Sequence, residues 1–129
     1  MRLAAAVFAT AVLCGAQDSE RDAAYGQALD RQVSQHFSIG VAPDVARRVF
    51  ARLTQTEIAK KSSVKTFQLS LARTSMVNAF STAGGHLYVT DGLVAALGNN
   101  EGEFAFVMGH EMGHLIRWHR LKTADTNDR

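Results

Sequence analysis

The longest helical pattern in the sequence lies near its C-terminus, from Glu101 to about Leu121. Its apolar residues recur at intervals of three and four, the spacing of one buried helix face. They are Phe104, Val107, Met108, Met112, Leu115, Ile116 and Trp118. Asn99 or Asn100 can cap this helix before its acidic first turn. A helix this apolar must be covered by the rest of the chain, so it constrains every other element.

Two helices are predicted in the first half of the chain. The first runs from Asp18 to about His36, and the second begins at Pro43, a residue favoured in the first helical turn. The predicted buried stripe of the second helix is Val45, Val49, Leu53 and Ile58. We interpret both as packing elements without chemistry.

Short strands are predicted between these helices and the C-terminal one. Apolar and polar residues alternate over Lys65–Leu71, and Met76–Phe80 is a second strand candidate. Gly84-Gly85 indicates a turn, followed by the strand His86–Thr90, which we expect to pair with the preceding one as a hairpin. A short helix then opens at Asp91. The predicted class is α+β: a helical N-terminal part, a small antiparallel sheet, then the C-terminal helix.

Composition suits a folded domain, with 47% hydrophobic residues, 20% charged residues and one proline. The formal net charge is +2, and the longest basic run is Lys60-Lys61. Such a charge distribution argues against nucleic acid as a partner.

The N-terminus has the three-part pattern of a secretory signal peptide. Met1-Arg2 supplies positive charge, Leu3–Leu13 is almost entirely apolar, and the small residues Cys14-Gly15-Ala16 follow. We predict a signal peptide over 1–16, with 17–129 as the N-terminal portion of the mature domain. A buried N-terminal helix is the alternative.

This interpretation predicts secretion across the inner membrane into the periplasm. The apolar run is shorter than the roughly 20 residues of a membrane-spanning helix. Lipid anchoring through Cys14 is a weaker alternative, because the preceding Leu13 is bulky where that processing favours a small residue.

The stretch HEMGH places His110, Glu111 and His114 on the C-terminal helix. Residues four apart share a helix face, so both imidazoles can reach one metal ion, whereas Glu111 lies about 100° round the helix. In the H-E-x-x-H pattern the ion is Zn²⁺, which activates a water molecule and polarises a carbonyl group. The glutamate accepts the proton from that water and passes it to the leaving amine. Two ordinary histidines on a partly buried helix are the alternative.

A zinc hydrolase of this kind needs a third protein ligand. The H-E-x-x-H-x-x-G-x-x-H class is excluded because Arg117 and Arg120 occupy its last two positions. His119, nine residues after His110, would lie on the opposite side of a continuous helix. The remaining candidates are weak: His86 on its strand, and Asp125 and Asp128 in a C-terminal tail that we expect to be loose.

The stretches Asn78–Leu97 and Asn100–His119 resemble the zinc metallopeptidases that include HtpX, the mitochondrial Oma-type protease and the CAAX prenyl endopeptidases. The resemblance spans about forty residues in order, including Asn78-Ala79-Phe80, Gly84-Gly85 and the zinc motif. The sequence departs from the family pattern at Ala83, where proline is common, and at Asp91, where a basic residue is common.

The resemblance implies a gluzincin-type fold and a Zn²⁺-dependent endopeptidase acting on protein or peptide substrates, often misfolded or membrane-associated ones. It assigns His110 and His114 as ligands and Glu111 as the general base. In the family the third ligand is a glutamate on a later helix, in a segment resembling E-x-x-A-D, so the sequence is expected to be C-terminally truncated at Arg129. The alternative is an inactive pseudo-protease with weak metal or peptide binding.

Overall fold

The structure, a computed structural model, describes residues 12–13 and 19–127, and it describes side chains over 24–121. The elements, in chain order, are β1 (Val12–Leu13), α1 (Ser19–His36), β2 (Ile39–Gly40), α2 (Asp44–Thr54), α3 (Glu57–Lys61), β3 (Gln68–Ala72), β4 (Ala79–Thr82), β5 (His86–Thr90), α4 (Asp91–Leu97) and α5 (Glu101–Asn127). The predicted α+β class is confirmed, with one sheet and helices on both of its faces.

The sheet has the strand order β1-β4-β5-β3-β2. The predicted hairpin is confirmed, because β4 and β5 are antiparallel, with Phe80 opposite Tyr88. The prediction of an all-antiparallel sheet is wrong: β3 runs parallel to β5, and β1 runs parallel to β4. After β3 the chain forms β4 two positions away in the sheet and then turns back, so that β5 lies between β4 and β3. β3 and β5 therefore run in the same direction.

Alternation along the strands divides the core between the two faces of the sheet. Leu87 and Val89 point towards α2, α4 and α5, and they join the main core there. The main core also contains Val45, Val49, Leu93, Leu97, Phe104, Val107, Met108, Met112 and Leu115. Tyr88 points to the opposite face, where it packs with Val33 of α1 and Phe80. The sheet therefore separates α1 from α5.

The second helix and the C-terminal segment differ from the prediction. The second helix divides after Thr54, because the side chain of Thr56 accepts a hydrogen bond from the amide of Ala59 and caps α3. Ile58 is consequently 71% exposed instead of buried. The segment after Leu121 also continues as helix to Asn127, although it has no apolar pattern.

The predicted signal peptide lies largely outside the described residues, as do Cys14 and the cleavage point after Ala16. Only Val12 and Leu13 of that segment are described, as β1. Within the part of the chain that the structure describes, no helix is long and apolar enough to cross a bilayer.

Asp30 joins α1 to the sheet. One of its oxygens accepts hydrogen bonds from Thr82 Oγ1 at 2.8 Å and from the Tyr88 hydroxyl at 2.7 Å. The other lies 3.4 Å from Nδ1 of His86, whose Nε2 is hydrogen-bonded to Ser70 Oγ at 2.7 Å. Burial alone would raise the pKa of Asp30, but the hydrogen bonds from His86, Tyr88 and Thr82 outweigh it and lower that pKa.

Replacing Asp30 by alanine is expected to lower the free energy of unfolding by about 2 kcal/mol, because the hydroxyl of the buried Tyr88 then loses its acceptor. The control is Asp44→Ala, which removes an exposed ion pair with Arg47 and should cost less than about 1 kcal/mol. Urea unfolding followed by circular dichroism measures both. Equal destabilisation by the two variants would contradict this role of Asp30.

Candidate metal centre

The H-E-x-x-H residues lie on α5, which is firmly packed against the rest of the structure. Its N-terminus is capped by Asn100, whose side-chain oxygen accepts from the amide of Glu103 at 3.0 Å. Its residues Phe104, Met108 and Leu115 are fully buried. α2 packs closely on the same helix, and a Cβ built on Gly109 would lie 3.8 Å from Leu53 Cδ2. The position of α5 relative to the sheet is therefore fixed by packing.

His110 and His114 lie on the exposed face of α5. Their Nε2 atoms are 3.1 Å apart, and their rings are nearly perpendicular at 86°. Two nitrogen ligands at about 2.0–2.1 Å from a tetrahedral zinc ion lie about 3.3 Å from each other. The separation of the pair is close to the one that a shared zinc ion requires. The Phe106 ring, 67% exposed, is stacked 6.3 Å from His110 on the same face.

Glu111 lies on the buried flank of α5 and is only 1% exposed. Neither of its carboxyl oxygens has a hydrogen-bond partner among the described residues. Burial disfavours the charged form and raises the pKa of Glu111 to about 7. A carboxyl group with such a pKa can accept a proton and return it near neutral pH.

The structure separates two other predicted candidates from the histidine pair. His86 is on the sheet face that carries Tyr88 and Asp30, opposite the face covered by α5. It is therefore excluded as a ligand to the same ion. The Nε2–H of His119 donates to the carbonyl oxygen of Ala83 at 2.8 Å, so its ring is directed at the β4–β5 turn. This placement agrees with the expectation from helix geometry that His119 does not join the pair.

The structure does not bring Asp125 to the histidine pair. Asp125 belongs to the continuous helix α5 and lies about 16 Å beyond His114 along the helix axis. Asp128 lies outside the described residues. Over the side chains that are described, no group of three or more His, Cys, Asp or Glu residues could hold a metal ion. The described part of the centre is thus a two-histidine site with an adjacent buried carboxyl group.

The sequence analysis did not predict the tertiary contacts that hold the β4–β5 turn close to α5. The Ala83–Gly85 turn is held from the α5 side by His119 and from the α1 side by close packing, because a Cβ built on Gly26 would lie 2.7 Å from the amide nitrogen of Gly84. Asp30 adds the bond to Thr82. These contacts join residues 36 to 58 positions apart, so no local pattern marks them.

Comparison with known proteins identifies the family of the chain. The model of peptidase family M48 matches residues 42–127. No curated protein and no solved structure matches the sequence. The matched segment runs from the start of the main core through the hairpin to the end of α5, and it includes both histidines and Glu111. Zinc-dependent peptide hydrolysis is the chemistry of that family. Because the match covers more than half of the sequence, the chain belongs to the M48 metallopeptidases.

Proposed function

We propose that this chain carries the zinc-motif helix of a zinc-dependent endopeptidase of the HtpX, Oma-type and CAAX-prenyl-endopeptidase group, with a role in protein quality control after secretion. The single observation that carries the proposal is the 3.1 Å spacing of the His110 and His114 Nε2 atoms beside Glu111, which is buried and has no hydrogen-bond partner among the described side chains. Zinc held by these histidines would polarise a substrate carbonyl group and activate water.

The roles of the three residues follow from their positions. His110 and His114 are exposed, so they can bind an ion that a substrate also reaches. Glu111 is buried and has a pKa near neutrality, which suits a general base that later acts as an acid. Gly113 leaves open space, since nothing lies within 4 Å of a Cβ built there. A substrate backbone can therefore approach the exposed face between the two histidines.

The third ligand, on this proposal, is a glutamate that lies outside the described side chains. The two described histidines by themselves should bind zinc weakly and support little or no peptidase activity. The alternative function is that of an inactive metal- or peptide-binding protein. It is favoured by the two-ligand composition of the described centre.

Casein cleavage distinguishes the two functions. The 129-residue chain should show no zinc-dependent cleavage, and the chain extended by its downstream coding sequence should cleave casein. Glu111→Gln in the extended protein should reduce cleavage at least about 1000-fold, because the proton acceptor is lost. Glu103→Gln, on the same helix, is the matched control. Cleavage that survives Glu111→Gln would contradict the assignment of the general base, and an inactive extended protein would favour the alternative.

The signal-peptide pattern of residues 1–16 supports placement in the periplasm. Fractionation of cells that make a C-terminally tagged chain tests it. The tagged product should appear in the periplasmic fraction and lack its first 16 residues. Recovery of the uncleaved chain in the cytoplasm would contradict this placement.

A further inference from the structure

A second cluster of reactive side chains lies on the sheet face that α1 covers, opposite the zinc-motif helix. It consists of Ser70 on β3, His86 on β5 and Asp30 on α1. The Ser70 Oγ atom is 2.7 Å from Nε2 of His86, and Nδ1 of the same ring is 3.4 Å from Oδ2 of Asp30. The imidazole thus has a hydroxyl group at one ring nitrogen and a carboxylate at the other. The zinc chemistry proposed above uses none of these three residues.

The groups around His86 decide which ring nitrogen carries the proton. Two groups face Nδ1, namely Oδ2 of Asp30 and the hydroxyl oxygen of Tyr88, the latter at 3.3 Å. The Tyr88 hydroxyl donates its own proton to Oδ1 of Asp30, so Nδ1 must supply the hydrogen to both groups. We therefore assign the proton to Nδ1, which leaves Nε2 free to accept the hydroxyl proton of Ser70. A serine nucleophile and its general base have this arrangement.

The His86 ring is held in one orientation without being sealed from solvent. It stacks on Tyr88 with ring centroids 4.2 Å apart. Its side chain is 14% exposed, and Ser70 is partly buried. A small molecule can therefore reach both groups, while the ring keeps its place between Ser70 and Asp30.

The edge of β3 beside Ser70 has no strand on it among the described residues, because β2 pairs only with the last two residues of β3. The amide of Gln68 donates to the carbonyl oxygen of Gly85 on the β5 side. Backbone amides alternate along a strand, so that of Leu69 points to the uncovered edge, where it is available to donate to an oxyanion. Val41 follows β2 and is 73% exposed, which supplies apolar surface at this edge.

We propose that Ser70, His86 and Asp30 form a second catalytic site, in which Ser70 is the nucleophile towards a carboxylic ester with a small acyl group. Oγ attacks the carbonyl carbon and gives its proton to Nε2 of His86, which passes that proton to the leaving alcohol as the ester C–O bond breaks. Water then attacks the acyl-serine and gives a proton to Nε2, which returns it to Oγ as the carboxylic acid leaves. Asp30 is a positioning residue, because it orients His86 and stabilises the imidazolium ion.

The test uses the full chain with a zinc chelator present, so that metal-dependent hydrolysis does not contribute. The probe is a biotinylated fluorophosphonate: Oγ bonds to phosphorus, fluoride leaves, and the hydroxyl proton passes to Nε2. Peptide mass spectrometry identifies the labelled serine. Hydrolysis of p-nitrophenyl acetate gives kcat and KM. The matched control is Ser63→Ala, because Ser63 is exposed and a reaction governed by exposure alone would label it before Ser70.

The probe should label Ser70 stoichiometrically in the folded chain and should not label the chain in urea. Ser70→Ala should abolish both labelling and ester turnover, and Ser63→Ala should behave like the native chain. His86→Gln should slow both reactions at least about 100-fold, because the general base is lost. Asp30→Asn should lower kcat at least about 10-fold with KM unchanged, an effect that a purely structural role in a folded variant would not produce.

Two results would overturn the proposal: labelling at Ser63 as fast as at Ser70, or a Ser70 rate that His86→Gln leaves unchanged. Absence of labelling at Ser70 would do the same. If His86→Gln loses the native circular dichroism, His86→Phe takes its place, because phenylalanine keeps the ring packing on Tyr88. The proposed peptidase function is tested separately, since neither reaction here requires zinc, His110 or His114.

Discussion

Replacing His114 by alanine is expected to weaken zinc binding about 100-fold, the largest effect on metal affinity that we predict for any single substitution. The described centre holds two ligands, so the variant retains one imidazole, and a lone imidazole binds zinc hardly better than an exposed histidine elsewhere. His110→Ala should have the same effect, because the two Nε2 atoms are equivalent in their 3.1 Å pair. Competition with a chromophoric zinc chelator measures both affinities.

Two histidine controls make this result specific. His36→Ala removes an exposed imidazole at the end of α1, and His119→Ala removes the bond to Ala83. Neither should change zinc affinity more than about twofold, since neither ring takes part in the pair. Loss of affinity in His119→Ala equal to that in His114→Ala would place His119 among the ligands and contradict the geometry described above.

The second large effect concerns stability and pH in the metal-free protein. The pKa of Glu111 is about 7 in the folded state against 4.5 as its ordinary value. Between these values the folded protein holds one more proton than the unfolded chain. The free energy of unfolding therefore falls as pH rises from about 4.5 to about 7, and this contribution is constant outside that window. The total change is about 3 kcal/mol.

Glu111→Gln should remove this pH dependence, because the amide does not titrate. At pH 8 the variant should be more stable than the native chain by about 2 kcal/mol, since no charge has to be buried. Glu103→Gln is the control and should leave the profile unchanged. Urea unfolding at intervals from pH 4.5 to pH 8, with a chelator present, gives both curves. A native profile that rises over this range, or one that Glu111→Gln leaves unchanged, would contradict burial of the uncompensated carboxyl group.

The sequence predicts the parts of the centre that depend on local geometry. The i, i+4 spacing places His110 and His114 on one face of α5, and the cap at Asn100 follows from the residue type. The burial of Glu111 could not be predicted in the same way, because it depends on how α5 packs on the sheet. The helical repeat predicts the angle of Glu111 round the helix, and the structure adds that this flank of α5 is shielded from solvent.

Long-range pairing accounts for the remaining differences. β3 is parallel to β5 because β4 forms on the far side of β5 before the chain turns back. The alternation of side chains in β3 is the same in either direction, so the sequence pattern does not predict that direction. Asp30 meets Thr82 and Tyr88 across more than fifty residues, so its polarity alone fits an exposed helix face equally well. Local patterns thus predict the elements and the histidine pair, whereas the contacts that support the centre come from the tertiary structure.

The most direct test of the zinc centre is a zinc titration followed by long-range ¹H–¹⁵N NMR of the histidine side chains. The method resolves each ring nitrogen and reports which one binds the metal. We expect the Nε2 signals of His110 and His114 to shift together with a single affinity, while those of His36, His86 and His119 stay in place. Zinc-dependent shifts at other histidines, or none at His110 and His114, would contradict the account.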